Sequence, residues 1–246
     1  MKHHSIILFI LVLVGLSLMS CKTQKKESHE TSAPFTLSFS GAMRNVMHDG
    51  ELLGTIALDT ISNKTHLYGL GPIEYLTGEI LILDGKFYTS AVTSDSTMQV
   101  GETFSVKAPF FVYGNVSNWK EEILPDSIVT IKQLEEFLNT TVTDIPRPFP
   151  FMVVGTVNRA IIHIDNLPKG AEVHSPEEVR QYQVDYALSN TPVEVVGFFS
   201  TEHKGIFTHH DSFVHMHLIT TDKTKMGHVD SLEMMQGKAK LYLPMK

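Results

Sequence analysis

The sequence predicts an α+β fold of mixed β-sheets with few helices, on three observations. Short apolar runs suited to strands recur along most of the chain, an Asp-Gly pair separates two of them, and capping signals mark only two helices. The first strand-like segments are residues 35–40 and 51–58. Residues 79–83 and 86–89 flank Asp84-Gly85, which predicts a two-residue hairpin because a type I′ turn needs positive φ at both central positions. Further strands are expected at 104–112, 151–157, 160–164, 193–199, 213–220 and 240–243. Helices are expected at 131–138 and 176–184. Each opens with a capping box, Thr130-Ile-Lys-Gln133 and Ser175-Pro-Glu-Glu178, and Pro176 suits the first helical position of the second.

The amino terminus bears on location. Lys2, His3 and His4 form a short polar head, residues 6–19 are an almost unbroken apolar run, and Leu18-Met-Ser-Cys21 follows. This resembles the signal peptide and lipobox of a bacterial lipoprotein. It implies that residues 1–20 are removed, that Cys21 is lipidated, and that the protein sits in the cell envelope outside the cytoplasm, touching a membrane only through that anchor. Residues 21–34 are polar and without hydrophobic period, as expected of a disordered tether. Residues 35–246 are long enough for one large domain or two intimately packed halves. Cys21 is the only cysteine, which excludes disulfides, thiolate metal sites and cysteine nucleophiles from the folded part. A formal net charge of −7, with no basic stripe interleaved with aromatics, speaks against a nucleic-acid partner.

The chemistry concentrates in residues 213–228. His215 and His217 stand two apart in an apolar strand-like segment, so their side chains leave the same face. With 13 histidines in 246 residues, a His-x-His pair arises by accident about 0.7 times, so the pair alone decides little. A third histidine adds weight. A turn over residues 222–225 brings His228 opposite Ile219, on the face that already holds His217 and His215. With no thiol available, three imidazoles suit Zn2+ or another divalent first-row ion. The competing interpretation is an outward-facing polar pair on an amphipathic strand, with His228 an unrelated turn residue. Glu79, at the head of an apolar strand, reads by itself as a solvated strand end. Lys204, His209 and His210 read as an exposed loop before the metal strand, or as a source of positive charge near it.

Three stretches resemble the α-acetolactate decarboxylase family. They are Tyr68-Gly-Leu-Gly-Pro-Ile-Glu-Tyr-Leu-Thr-Gly-Glu-Ile-Leu-Ile-Leu-Asp-Gly-Lys-Phe-Tyr88, then Thr191-Pro-Val-Glu-Val-Val-Gly-Phe-Phe-Ser200, then Val214-His-Met-His-Leu-Ile with Gly227-His-Val229. The resemblance implies two packed halves, zinc held by His215, His217 and His228, and Glu79 at the metal as the catalytic carboxyl group. It implies conversion of 2-acetolactate (2-hydroxy-2-methyl-3-oxobutanoate) to acetoin and carbon dioxide, in acetoin and butanediol biosynthesis, and a homodimer by the family's habit. That chemistry needs a Lewis acid at the ketone oxygen, because electron density flows there as carbon dioxide leaves.

Two of the family's polar parts have no match. Its substrate-binding arginine falls at Met152 or Val153, with Arg147 and Arg159 nearby in sequence, and its carboxy-terminal glutamate is not found before Leu243-Pro-Met-Lys246. Two other functions therefore stay open, a zinc- or ligand-binding lipoprotein without turnover and a relative acting on another 2-hydroxy-3-keto acid. A cupin-like site ranks last, since cupins place a glutamate shortly after the His-x-His pair, where Thr220 and Thr221 stand.

Overall fold

Asp84 and Gly85 both take positive φ, 48° and 78°, so the predicted hairpin forms, and it lies inside the first of two sheets. The structure, a computed structural model, describes residues 35–245. The signal peptide, Cys21 and the tether expected at 1–34 lie outside the described residues.

The first half of the described chain contains β1 (Ser38–Ser40), α1 (Met43–Asp49), β2 (Ile56–Ala57), β3 (Leu67–Pro72), β4 (Glu79–Leu83), β5 (Lys86–Ser94), β6 (Thr97–Glu102), β7 (Lys107–Ala108) and β8 (Phe111–Asn115). Six of these strands form one sheet in the order β1-β8-β3-β4-β5-β6, and β2 pairs with β7 apart from it. The second half contains β9 (Trp119–Ile123), α2 (Ile131–Thr140), β10 (Phe149–Asp165), α3 (Pro176–Arg180), β11 (Gln183–Phe199), β12 (Val214–Thr220) and β13 (Met226–Pro244). Its sheet runs β10-β11-β12-β13-β9, and β13 pairs with β10 as well, so four strands close on themselves. Every ladder in both sheets is antiparallel.

The halves are joined by apolar burial. Tyr68, Leu81 and Val112 of the first sheet share one cluster with Val196, Phe198, Ile219 and Met226 of the second. A second cluster seats Leu134 and Leu138 of α2 on Phe149, Phe151, Val195 and Leu241. Two packed halves are what the resemblance implied.

The helix signals hold at their starts. Thr130 Oγ1 accepts from the Gln133 amide and Gln133 Oε1 accepts from the Thr130 amide, a complete capping box. Ser175 accepts from the Glu178 amide, but the Glu178 carboxylate accepts from His174 N–H at 2.7 Å, one residue further out. α3 stops at Arg180, short of the expected 184, because Val184 is already paired with Ile164 in the β10–β11 ladder.

Elsewhere the structure departs from expectation for identifiable reasons. α1 was not expected: its N-cap is Ala42 without a side-chain bond and its first turn holds no acid, so it carries no start signal. Residues 51–58 form only the two-residue β2, and 104–112 splits into β7 and β8. β9 went unseen because Lys120, Glu121 and Glu122 make it look like a loop, as suits a strand at a sheet edge. β10 runs unbroken through Asn158 and Arg159, and β13 extends over 19 residues, because bulges between Gly155 and Ile162 absorb the breaks in alternation.

The Thr130→Ala variant should lose about 1 kcal/mol of stability, the usual worth of an N-cap side chain. Urea unfolding at unchanged slope measures it, and a midpoint identical to wild type would show that the cap contributes nothing.

Candidate metal centre

The β12–β13 hairpin carries the three expected ligands. His215, His217 and His228 are 2%, 0% and 7% exposed, so the outward-facing alternative does not hold. His228 pairs with His217 rather than with Ile219, which faces Met226 instead. The turn is centred one residue earlier than expected. Thr220 and Lys225 close it, with Thr220 N–H donating to the Lys225 carbonyl at 2.9 Å, and Asp222 accepts from Thr220 Oγ1 and Thr224 N–H inside the loop. A change of register by two residues leaves every side chain on its face, so the three rings still share one face; the histidine ligand atoms that lie within 4.8 Å of one another, however, are those of His209, His215 and His228, a group without His217. Gly227 is needed next to them, since a Cβ there would come within 2.5 Å of the His163 carbonyl oxygen on β10.

The ring centroids of His215, His217 and His228 lie 5.2, 4.9 and 5.4 Å apart, pair by pair. His215 Nδ1–H donates to the Phe207 carbonyl at 2.9 Å, so its Nε2 carries the lone pair, 3.1 Å from His228 Nδ1. Neither ring nitrogen of His217 makes a hydrogen bond of good geometry: the Ile80 backbone is the one polar group near enough to raise its basicity, and Nε2 stops 3.6 Å from Glu79 Oε2, too far for a hydrogen bond. A buried orphan of this kind costs about 1–3 kcal/mol, and a cation is the partner that offsets it. Burial, then the field of neighbouring imidazoles, pushes His217 down to about 3 and His215 and His228 well below the ordinary histidine value. All three are neutral at neutral pH, the form that ligates. The donor set fits a divalent cation.

Glu79 is not a solvated strand end. It is 2% exposed, and its Oε1 accepts from Asp165 N–H at 3.1 Å. Burial first, and the Asp165 charge second, raises its carboxyl well above the usual range.

Sequence reasoning missed three residues here. β10 places His163 opposite His228, with ring centroids 4.6 Å apart. Its Nδ1 lies 2.8 Å from both oxygens of Asp230, and its Nε2 lies 3.0 Å from Gln183 Nε2, which donates to Asp165 Oδ1. Burial pushes His163 down, but the Asp230 hydrogen bond and the charges of Asp165 and Asp230 outweigh it and leave it above the ordinary value. The available signal was His163-Ile-Asp165, a same-face pair on an expected strand, like His215 and His217. Potential ligand atoms of Glu79, His163 and Asp165 lie within 4.8 Å of one another, as do those of His163, His228 and Asp230.

A cavity of about 370 Å³ opens onto His228, His163 and Asp230, and its wall includes Arg44 of α1 and Arg180 of α3. Met152 and Val153 pair with Tyr242 and Leu241 far along β10 and do not line it. Arg147 is held by Asn139 and lies over the Phe199 ring, and Arg159 is exposed opposite Glu233. Lys204 caps the Phe213 ring at 4.3 Å, while His210 is exposed on the cavity wall. His209 is no surface loop residue, since its Nε2 lies 3.1 Å from His228 Nε2.

The same burial sets a pH dependence. His209, His215, His217 and His228 have lowered values, so each gains a proton on unfolding below pH about 6.5. Glu79 and Asp165 have raised values and release protons on unfolding above pH about 4.5. His163, raised, joins Glu79 and Asp165 on the opposing side but adds little below pH about 6.5, where the unfolded imidazole is protonated as well. Four against three, the cation-free protein should lose stability as pH falls from about 6.5 to 5. Urea midpoints in chelator across that window test this, and a midpoint that held or rose on acidification would contradict it.

The alpha-acetolactate decarboxylase family profile matches residues 39–243. The chain is 26% identical over 203 residues to the alpha-acetolactate decarboxylase of Brevibacillus brevis, covering 82% of this chain and 68% of that one. It is 26% identical over 200 residues to that of Methanosarcina mazei, covering 78% and 66%. Among solved structures, acetolactate decarboxylase from Bacillus subtilis subspecies spizizenii superposes with a TM-score of 0.66 at 20% identity, covering 85% of this chain and 86% of that one. A Staphylococcus aureus protein of unknown function similar to alpha-acetolactate decarboxylase gives 0.65 at 17%, covering 84% of each. The likeness to the solved structures carries the fold, the profile carries the kinship, and the chain belongs to the alpha-acetolactate decarboxylase family of carboxy-lyases.

Proposed function

We propose that the protein is a metal-dependent decarboxylase that converts 2-acetolactate to acetoin and carbon dioxide. The observation that carries this is His217, a fully buried imidazole without a hydrogen bond of good geometry, set behind His215, His228 and Glu79, which line a small recess. A divalent cation held there, zinc or another first-row ion, would supply positive charge to the substrate oxygens on which electron density collects as carbon dioxide leaves.

The chain's own residues do the rest. The Phe207 carbonyl fixes His215 in the tautomer whose Nε2 faces the site. Glu79 is placed to hold a proton and deliver it to one face of the product, and the Asp165 amide holds its Oε1 in position. Arg44 and Arg180 stand on the cavity wall with no carboxylate or hydrogen-bond partner for either guanidinium among the described residues, and so favour an anionic substrate. Binding without turnover is the second reading, favoured by His163 standing where β10 meets the site without an arginine.

With acetolactate, the purified protein should form acetoin and lose activity to chelator, with zinc or manganese restoring it. Glu79→Gln keeps volume and burial but not the proton, and should lower kcat on the order of 100-fold. Wild-type protein that binds metal yet makes no more acetoin than a His217→Ala variant would favour the second reading. The Leu18-Met-Ser-Cys21 motif supports a lipid anchor outside the cytoplasm. Cys21→Ser should then abolish incorporation of labelled palmitate, and persistent labelling would rule that anchor out.

A further inference from the structure

The loop between β11 and β12 delivers a fourth imidazole to the site. It is pinned along its length. Ser200 N–H donates to the Phe213 carbonyl, Arg44 N–H donates to the Gly205 carbonyl at 2.8 Å, and the Phe207 ring is buried in the cluster that joins the sheets. His203 stacks on Phe207 with centroids 4.7 Å apart, and its Nδ1 lies 2.7 Å from Ser200 Oγ. At the far end, Phe213 N–H donates to Glu135 of α2. So held, His209 brings Nε2 to 3.1 Å from His228 Nε2. Ligand atoms of His209, His215 and His228 lie within 4.8 Å of one another, His209 approaching Nε2 of His228 and His215 its Nδ1; nitrogens bound at about 2.0–2.1 Å to one zinc ion stand at most about 4.2 Å apart, so the three draw slightly closer to share one.

We propose that His209 is a further ligand of the cation, and that it is the ligand that yields when substrate oxygens enter. This rests on the metal-binding reading above. The second half follows from position. His215, His217 and His228 are fixed by strand ladders, whereas His209 sits on a loop and lines both the large cavity and the small recess at Glu79. Four nitrogens close a tetrahedral zinc site, and a catalytic one keeps a position open. A loop ligand that leaves provides that position.

The test compares wild type with His209→Ala and His209→Asn, using His210→Ala as a neighbouring control. Zinc affinity is read by competition with a chromophoric chelator, and the Co2+-loaded forms are titrated with 2-hydroxyisobutyrate, a 2-hydroxy acid without the keto group, by visible absorption. Both His209 variants should bind zinc about ten-fold or more weakly, with an altered cobalt spectrum, and bind the hydroxy acid several-fold more tightly; His210→Ala should match wild type. Zinc affinity within about two-fold of wild type in the asparagine variant, folded by circular dichroism, would overturn the assignment. Weakened zinc binding without tighter hydroxy-acid binding would overturn the displacement. A wild-type protein that takes up no divalent cation would instead overturn the reading beneath it.

Discussion

The site depends on one constraint, the ladder in which β13 pairs with β12 on one side and β10 on the other. That double pairing sets His217, His228 and His163 in a row across three strands, each pair in direct register. Closure of the four strands makes the row rigid, because none of these three strands has a free side at that point to relax into. Gly227 lets the three backbones meet so closely. The geometry of the centre is therefore a property of the sheet and not of the side chains alone.

Electrostatics then decides what the row is for. Five imidazoles and two carboxyl groups are gathered where water is largely excluded, which is unfavourable for any of them in charged form without a partner. The protein resolves part of this internally, through Asp230 and Gln183 around His163 and the Asp165 amide on Glu79. His217 is left out of that settlement. Among the described residues the buried side-chain atoms left without a good hydrogen bond are those of His217 and the Thr208 hydroxyl, a gap that a cation at His217 would help to close.

Much of this was legible in the sequence, and the remainder was hidden for physical reasons. The spacing of His215 and His217 and the Asp84-Gly85 turn encode local geometry, so they could be read directly. Placing Glu79 beside His217 needed kinship, because nothing local separates a buried strand end from a solvated one. His163 lies 65 residues before His228, and their pairing is decided by long-range closure that no local pattern records. The turn after β12 was placed one residue late because nothing local shows that Thr220, the last strand residue, also clasps Lys225 and Asp222 across the loop with its hydroxyl. β9 and α1 were invisible for lack of apolar alternation in one and of a cap in the other.

The turn has one more implication. The hairpin lies two residues from the register first expected, and both registers put His228 beside its partners. The register between them turns His228 to the opposite face, where it cannot share an ion with His215 and His217. Seen this way, a cation bound there would be a proofreader of strand alignment: during folding it would reward the even slips and reject the odd ones, and so turn a continuum of near-miss hairpins into a yes-or-no choice.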